Sequence, residues 1–304
     1  MQKIIDRFVV LLFLTVFFMS LPLLWADDHQ PVSKPTSLEE KIKAHAKKIN
    51  EKPENAYIDR VWKKTPGRDG RQVNIKKSLE KMGDRFHKDK LVIDRIEPDI
   101  QLNDLGPSPI YRGHPKKEMV ALMINVSWGE DYLDDILQVL KEEQVKASFF
   151  IEGQWAKKFP EYVQLILEEG HTIGNHAYDH PDMQTLSTQE IEDQIKETNA
   201  ILKAITNKDP SLFAPPSGSF NDKVVNIAHN LQMETILWTV DTVDWNNPET
   251  NDMINNVIEK IHPGAMVLMH PTKPVAEGLE EMIRQIKEKQ LKLGTVNDLL
   301  KSSR

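Results

Sequence analysis

From Glu118 onward, short apolar runs alternate with amphipathic stretches. The run MVALMINVSW, from Met119, is unbroken, as expected of a strand buried on both faces of a parallel sheet. YLDDILQVLKEEQ follows with its apolar residues at helical spacing. The alternation continues with the strand KASFFIEG, a helix KFPEYVQLILEEG closed by Gly170, and the strand-like HTIGNH. A helix from Ser187 to Thr206 leads to SLFAPPSGSF, strand and then loop. DKVVNIAHNLQ predicts a helix, METILWTV a strand, TNDMINNVIEKI a helix, AMVLMH a strand and VAEGLEEMIRQIKEKQ a helix. About six βα units in series predict a parallel sheet with helices outside it.

Such a sheet is either open and doubly wound or rolled into a barrel. No GxGxxG or GKS/GKT phosphate loop occurs. Instead, Asn125, His176, Asp244 and His270 each follow a predicted strand at its carboxyl end, as functional residues do in barrels.

The chain before Glu118 has a different texture. Lys3 and Arg7 precede an apolar run from Phe8 to Trp25, the pattern of an export signal. Leu24-Trp25-Ala26 permits cleavage after Ala26, and an uncleaved anchor touching the membrane through residues 3–25 stays open. Residues 27–90 are rich in Lys, Glu, Asp and Pro, with helices predicted over Leu38–Ile49, behind a Ser37/Glu40 capping box, and over Asn74–Met82. The Pro- and Gly-punctuated stretch 104–117 reads as extended chain laid over the next domain. The expected division is 1–26 signal or anchor, 27–90 accessory region, 91–117 linker and 118–304 barrel domain. The protein is therefore expected to be exported, either secreted or held at the outer face of the cytoplasmic membrane in the cell envelope.

Composition narrows the chemistry. Of 304 residues, 39% are hydrophobic, enough for a core. The net charge of −7 argues against nucleic acid as the main partner. There is no cysteine, so a metal would have to use His, Asp, Glu or water.

In HTIGNHAYDH, His176 and His180 are four residues apart, a spacing that would place both imidazoles on one helix face. An HxxxH pair alone is weak, but the preceding strand and Gly174 favour metal ligation over a polar surface. LMHPT puts His270 at the end of an apolar strand, and TVDTVDWNN puts Asp244 and Trp245 at the end of another. An aspartate bonded to a histidine fixes its tautomer and raises its basicity, as a general acid on a leaving amine requires.

Taken in order, VALMINVSWGED, GHTIGNHAYDHPDM, FAPPSGSFN, WTVDTVDW and VLMHPT resemble the polysaccharide deacetylase family, the NodB-homology domain, over about residues 118–300. Within that family the chain is most similar to the branch associated with sporulation. The resemblance implies a distorted (β/α) barrel that removes N-acetyl groups from peptidoglycan or chitin-like sugars with a divalent metal, usually zinc. It implies His176 and His180 as metal ligands and His270 as general acid, oriented by Asp244. It also implies sugar contacts from Trp128, Trp245, Pro215, Ser217 and Leu268, and an acetylated amino-sugar polysaccharide as partner to a monomeric protein.

The match is partial. Where the family reads TFDDG, the positions of its catalytic base and metal carboxylate hold Asn125 and Val126. Where it reads RPPYG, the arginine position holds Ala214. Asn125 has no carboxylate to take a proton, although it can hydrogen-bond a water. Val126 cannot ligate a metal. An arginine retained opposite an asparagine would be an unpaired buried charge, costing on the order of several kcal/mol, so the losses are consistent as a set. Glu130, Asp131, Asp179 and Asp241 are candidate replacement carboxylates. Three functions follow: a divalent-metal N-deacetylase with a degenerate motif, an inactive glycan-binding relative with Trp128, Trp155 and Trp245 as stacking surfaces, or an envelope assembly factor acting through residues 27–115.

Overall fold

The computed structural model describes residues 37–304; the expected signal or anchor, 1–26, lies outside the described residues. The front region opens with α1 (Leu38–Ile49), where Ser37 and Glu40 close the expected capping box. Then come β1 (Tyr57–Asp59), β2 (Lys63–Thr65), β3 (Gly70–Val73), α2 (Ile75–Met82) and β4 (Ile93–Ile96). Strands β1 and β2 form one antiparallel pair; β3 and β4 form another, which joins chain from before and after residue 90.

Ion pairs join the front region to the linker and to the barrel domain. Lys64, fully buried, reaches Glu234 at 2.6 Å. Lys116 meets Glu54 at 2.9 Å, and Arg304 meets Glu51 at 2.7 Å. Stretch 104–117 is not merely laid on the surface. Ile110 is fully buried and bridges in parallel to Ile236.

The barrel domain comprises β5 (Met119–Val126), α3 (Leu133–Glu142), β6 (Ser148–Ile151), α4 (Gly153–Lys158), α5 (Pro160–Glu168), β7 (Thr172–Asn175) and α6 (Thr188–Thr206). It continues with β8 (Leu212–Phe213), α7 (Asp222–Asn230), β9 (Glu234–Thr235), β10 (Val240–Asp241), α8 (Thr250–Lys260), β11 (Met266–Met269), α9 (Lys273–Glu288), β12 (Lys292–Gly294) and α10 (Val296–Leu300). Neighbouring strands run β10-β11-β5-β6-β7-β8-β9, all parallel, with β12 beside the start of β5. This is an α/β fold whose sheet is a partly closed barrel. Strands β9 and β10 do not pair.

The stretch METILWTV, expected as one strand, is broken between them. Leu237 N–H donates to Ile110 at 2.8 Å, and Thr239 N–H donates to Met266 at 3.2 Å. Those two bonds span the gap, and the first draws stretch 104–117 into the barrel wall.

Strand alternation sorts β5. Val120, Leu122, Ile124 and Val126 pack between sheet and helices, whereas Ala121 and Met123 face the barrel interior with Phe150 and Leu268. Asn125 shares the interior parity. Among the described residues no helix is long and apolar enough to cross a membrane.

Candidate active site

The carboxyl ends of β5, β7, β10 and β11 bring Asn125, His176, Asp244 and His270 to one mouth of the sheet, as the strand reading expects. His176 and His180 do lie together, with ring centroids 5.1 Å apart and nearly perpendicular. They are not on a helix. Ala177 and His180 have φ of 62° and 59°, and this left-handed loop folds the second imidazole back on the first. Asn175 braces the loop: its Oδ1 accepts from Ala177 N–H at 2.8 Å, and its amide donates to Ile195 and Asn199.

His176 Nδ1–H donates to the Ala214 carbonyl at 2.7 Å, which leaves Nε2 as the ring's free lone pair. Burial, with His180 and His270 nearby, pushes the His176 pKa down to about 3. Burial also lowers His180. Both imidazoles are therefore neutral near pH 7, as metal ligation requires.

The other side of the mouth is densely bonded. His270 Nδ1 and Asp244 are 3.0 Å apart, and the same carboxylate accepts from His270 N–H at 3.0 Å. The Thr242 and Thr272 hydroxyls donate to it at 2.7 and 2.8 Å. Burial raises the Asp244 carboxyl, but the His270 imidazole and the two hydroxyls outweigh that effect and hold it below the usual value. The indole of Trp128 lies over His270, centroids 5.2 Å apart and planes 15° apart. Gly129 makes this approach possible. At φ 87°, its position would drive any Cβ into the Pro271 carbonyl.

The family-implied sugar contacts divide by exposure. Trp128 (43% exposed), Trp245 (60%) and Ser217 stand at the rim, whereas Leu268 and Pro215 are buried. Asn125 is buried, and its Oδ1 has no hydrogen-bond partner. Val126, fully buried, points into the helix-side core.

The candidate replacement carboxylates do not join the histidines. Asp179 is exposed and accepts from Gln194 at 2.8 Å, Glu130 lies 3.9 Å from Lys158, and Asp241 accepts from Val243 N–H at 2.8 Å. Catalytic zinc takes three protein ligands. Among the described residues no cluster of three or more His, Cys, Asp or Glu side chains is placed to hold a metal. The two imidazoles alone do not fit the ion that the family resemblance implies.

One titratable group escaped the motif reading. Glu152, at the end of β6, is buried, and burial pushes its carboxyl up to about 7. A Glu ahead of a helix reads as ordinary N-terminal charge, so only its position at a strand end could have marked it. A cavity of about 560 Å³, touching Arg95, His229 and Glu234, sits at the opposite end of the barrel, near the starts of β8 and β9, away from this chemistry.

Known proteins align with this arrangement. The family model "Polysaccharide deacetylase" matches residues 112–236. YlxY of Bacillus subtilis (strain 168) is 46% identical over 269 residues, 88% of this chain and 84% of that protein. The peptidoglycan-N-acetylmuramic acid deacetylase PdaA of the same organism is 31% identical over 220 residues, 69% of this chain and 84% of that protein. The crystal structure of wild-type BA3943 from Bacillus anthracis, described as a CE4 family pseudoenzyme, superposes with a TM-score of 0.85 at 48% identity, covering 89% of this chain and 97% of that one. A BA3943 mutant "with restored enzymatic activity" is similar at a TM-score of 0.84 and 47% identity, over 88% of this chain and 99% of that one.

Proposed function

Because the chain belongs to the polysaccharide deacetylase family, we propose that it binds acetylated amino-sugar polysaccharide of the cell envelope without removing the acetyl groups. One observation carries this reading: the end of β5 presents a neutral Asn125 to the mouth and turns Val126 into the apolar core. Amide hydrolysis needs a base to take the proton of the attacking water, and a carboxamide is not one. The same strand end supplies no carboxylate for a metal. What remains suits binding: a lined mouth, exposed Trp128 and Trp245 for stacking on sugar faces, and neutral imidazoles. That BA3943 is described as a pseudoenzyme of the same fold supports the reading.

The substrate class comes from relatives such as PdaA, whose described activity is on peptidoglycan. An exported, envelope-facing location, a monomeric state and a link to sporulation belong to the same proposal. Membrane contact through residues 3–25 would hold the protein near its polymer.

A second reading has one observation in its favour. The Asp244–His270 couple is intact, which is what a deacetylase with a divalent ion, zinc for preference, held by His176 and His180 would use on its leaving amine. Calorimetric titration of the full-length protein with zinc and with an N-acetylglucosamine oligomer separates the two. The proposal expects oligomer binding and zinc affinity weaker than micromolar. Micromolar or tighter zinc binding that His176→Ala abolishes would instead favour the enzyme.

A further inference from the structure

Asn125 offers the mouth something that the aspartate implied here by the family resemblance would not. It is 3% exposed, its Oδ1 has no partner, and the hydroxyl of Ser127, two residues on, is unpartnered too. A buried polar atom without a partner is costly, and at the mouth of a site a ligand or a water can supply the missing bond. The nearby imidazoles are already committed through one nitrogen each, His176 to the Ala214 carbonyl and His270 to Asp244. Trp128 stands three residues along, one indole face laid on His270 and the residue 43% exposed.

We propose that Asn125 reads the acetylation state of the sugar: its Oδ1 accepts the N–H of an acetamido group while Trp128, backed by His270, carries the sugar ring. This deepens the proposed function and rests on it. The discrimination comes from charge. An N-acetylated sugar presents a neutral amide N–H to a neutral acceptor. A deacetylated sugar presents an ammonium, whose charge must leave water for a pocket with no carboxylate to pair it. An aspartate at this position would reverse the preference. Replacing Asp by Asn thus turns the position from one that drives deacetylation into one that recognises its absence.

The test is calorimetric titration of the full-length protein, below the pKa of the sugar amine. The two ligands are an N-acetylglucosamine oligomer and the glucosamine oligomer of equal length. The native protein should prefer the acetylated oligomer by about tenfold, the worth of one hydrogen bond. The near-isosteric Asn125→Asp should cancel or reverse that preference. Trp128→Ala should weaken both oligomers by the same factor, because stacking is blind to the acetyl group. Equal native binding of both oligomers, or an undiminished preference in Asn125→Asp, overturns this inference and leaves glycan binding standing. Binding of neither oligomer overturns glycan binding and this inference with it.

Discussion

The two sides of the mouth differ in how their polar atoms are satisfied. Around Asp244 every contact is made: both carboxylate oxygens accept, from two hydroxyls, a backbone amide and an imidazole. Around Asn125 an equally buried side chain has a bare oxygen beside an apolar neighbour. Selection for hydrolysis would have to maintain both sides, since a general acid is useless without a base. The difference shows that the Asp244 side is held together by folding energetics as much as by chemistry. Its groups cannot be removed singly without orphaning others. The Asn125 side holds no charge at the positions where the family resemblance implies an aspartate and an arginine, and it leaves the Asn125 amide oxygen and the Ser127 hydroxyl unpaired.

The largest effect expected is that of Asp244→Ala. It strands a buried imidazole N–H, a backbone N–H and two hydroxyls, and should cost about 3 kcal/mol or more in urea unfolding. Gly129→Ala comes next, at about 2 kcal/mol, from the positive φ and the collision with Pro271. It should also free the Trp128 indole, seen as a shift in tryptophan emission.

The third prediction concerns pH. His171 and His114 are held down to about 4 by burial, so they are neutral when folded and charge more readily when unfolded. The stability they contribute is present above about pH 6.5 and is lost as the pH falls toward 4. Glu152 acts in the opposite sense. With its carboxyl raised to about 7, its contribution is present below the unfolded value and is lost as the pH rises through 7. Glu152→Gln should therefore stabilise the protein above pH 7 and do little at pH 4, and melting curves across that range check both signs.

Asn125→Leu, in contrast to Asp244→Ala, should change stability by less than about 1 kcal/mol, because its oxygen has no bond to lose. A large loss there would erase the contrast between the two sides.

Much of this was legible in the sequence, for reasons that differ residue by residue. The first helix could be read from Ser37 and Glu40 because a capping box is local. The ends of β5 and β11 could be read because buried parallel strands are continuous apolar runs, and Asn125 and His270 interrupt them. The histidine pair was visible, but the helical spacing that suggested it was not its geometry. Two left-handed residues do that work, and Ala177 carries no mark of it in the sequence. METILWTV misled because its central residues bond to Ile110, more than a hundred positions away, and local pattern cannot see such a partner. Which way Val126 points follows from strand parity only once Ala121 and Met123 are known to face the barrel interior.

Acetate release is the most direct measurement of the central claim. The full-length protein, saturated with an N-acetylglucosamine oligomer and supplied with zinc, should free no more acetate over hours than the buffer alone. Steady release that disappears in His176→Ala would show that hydrolysis survives without the aspartates and would contradict the account.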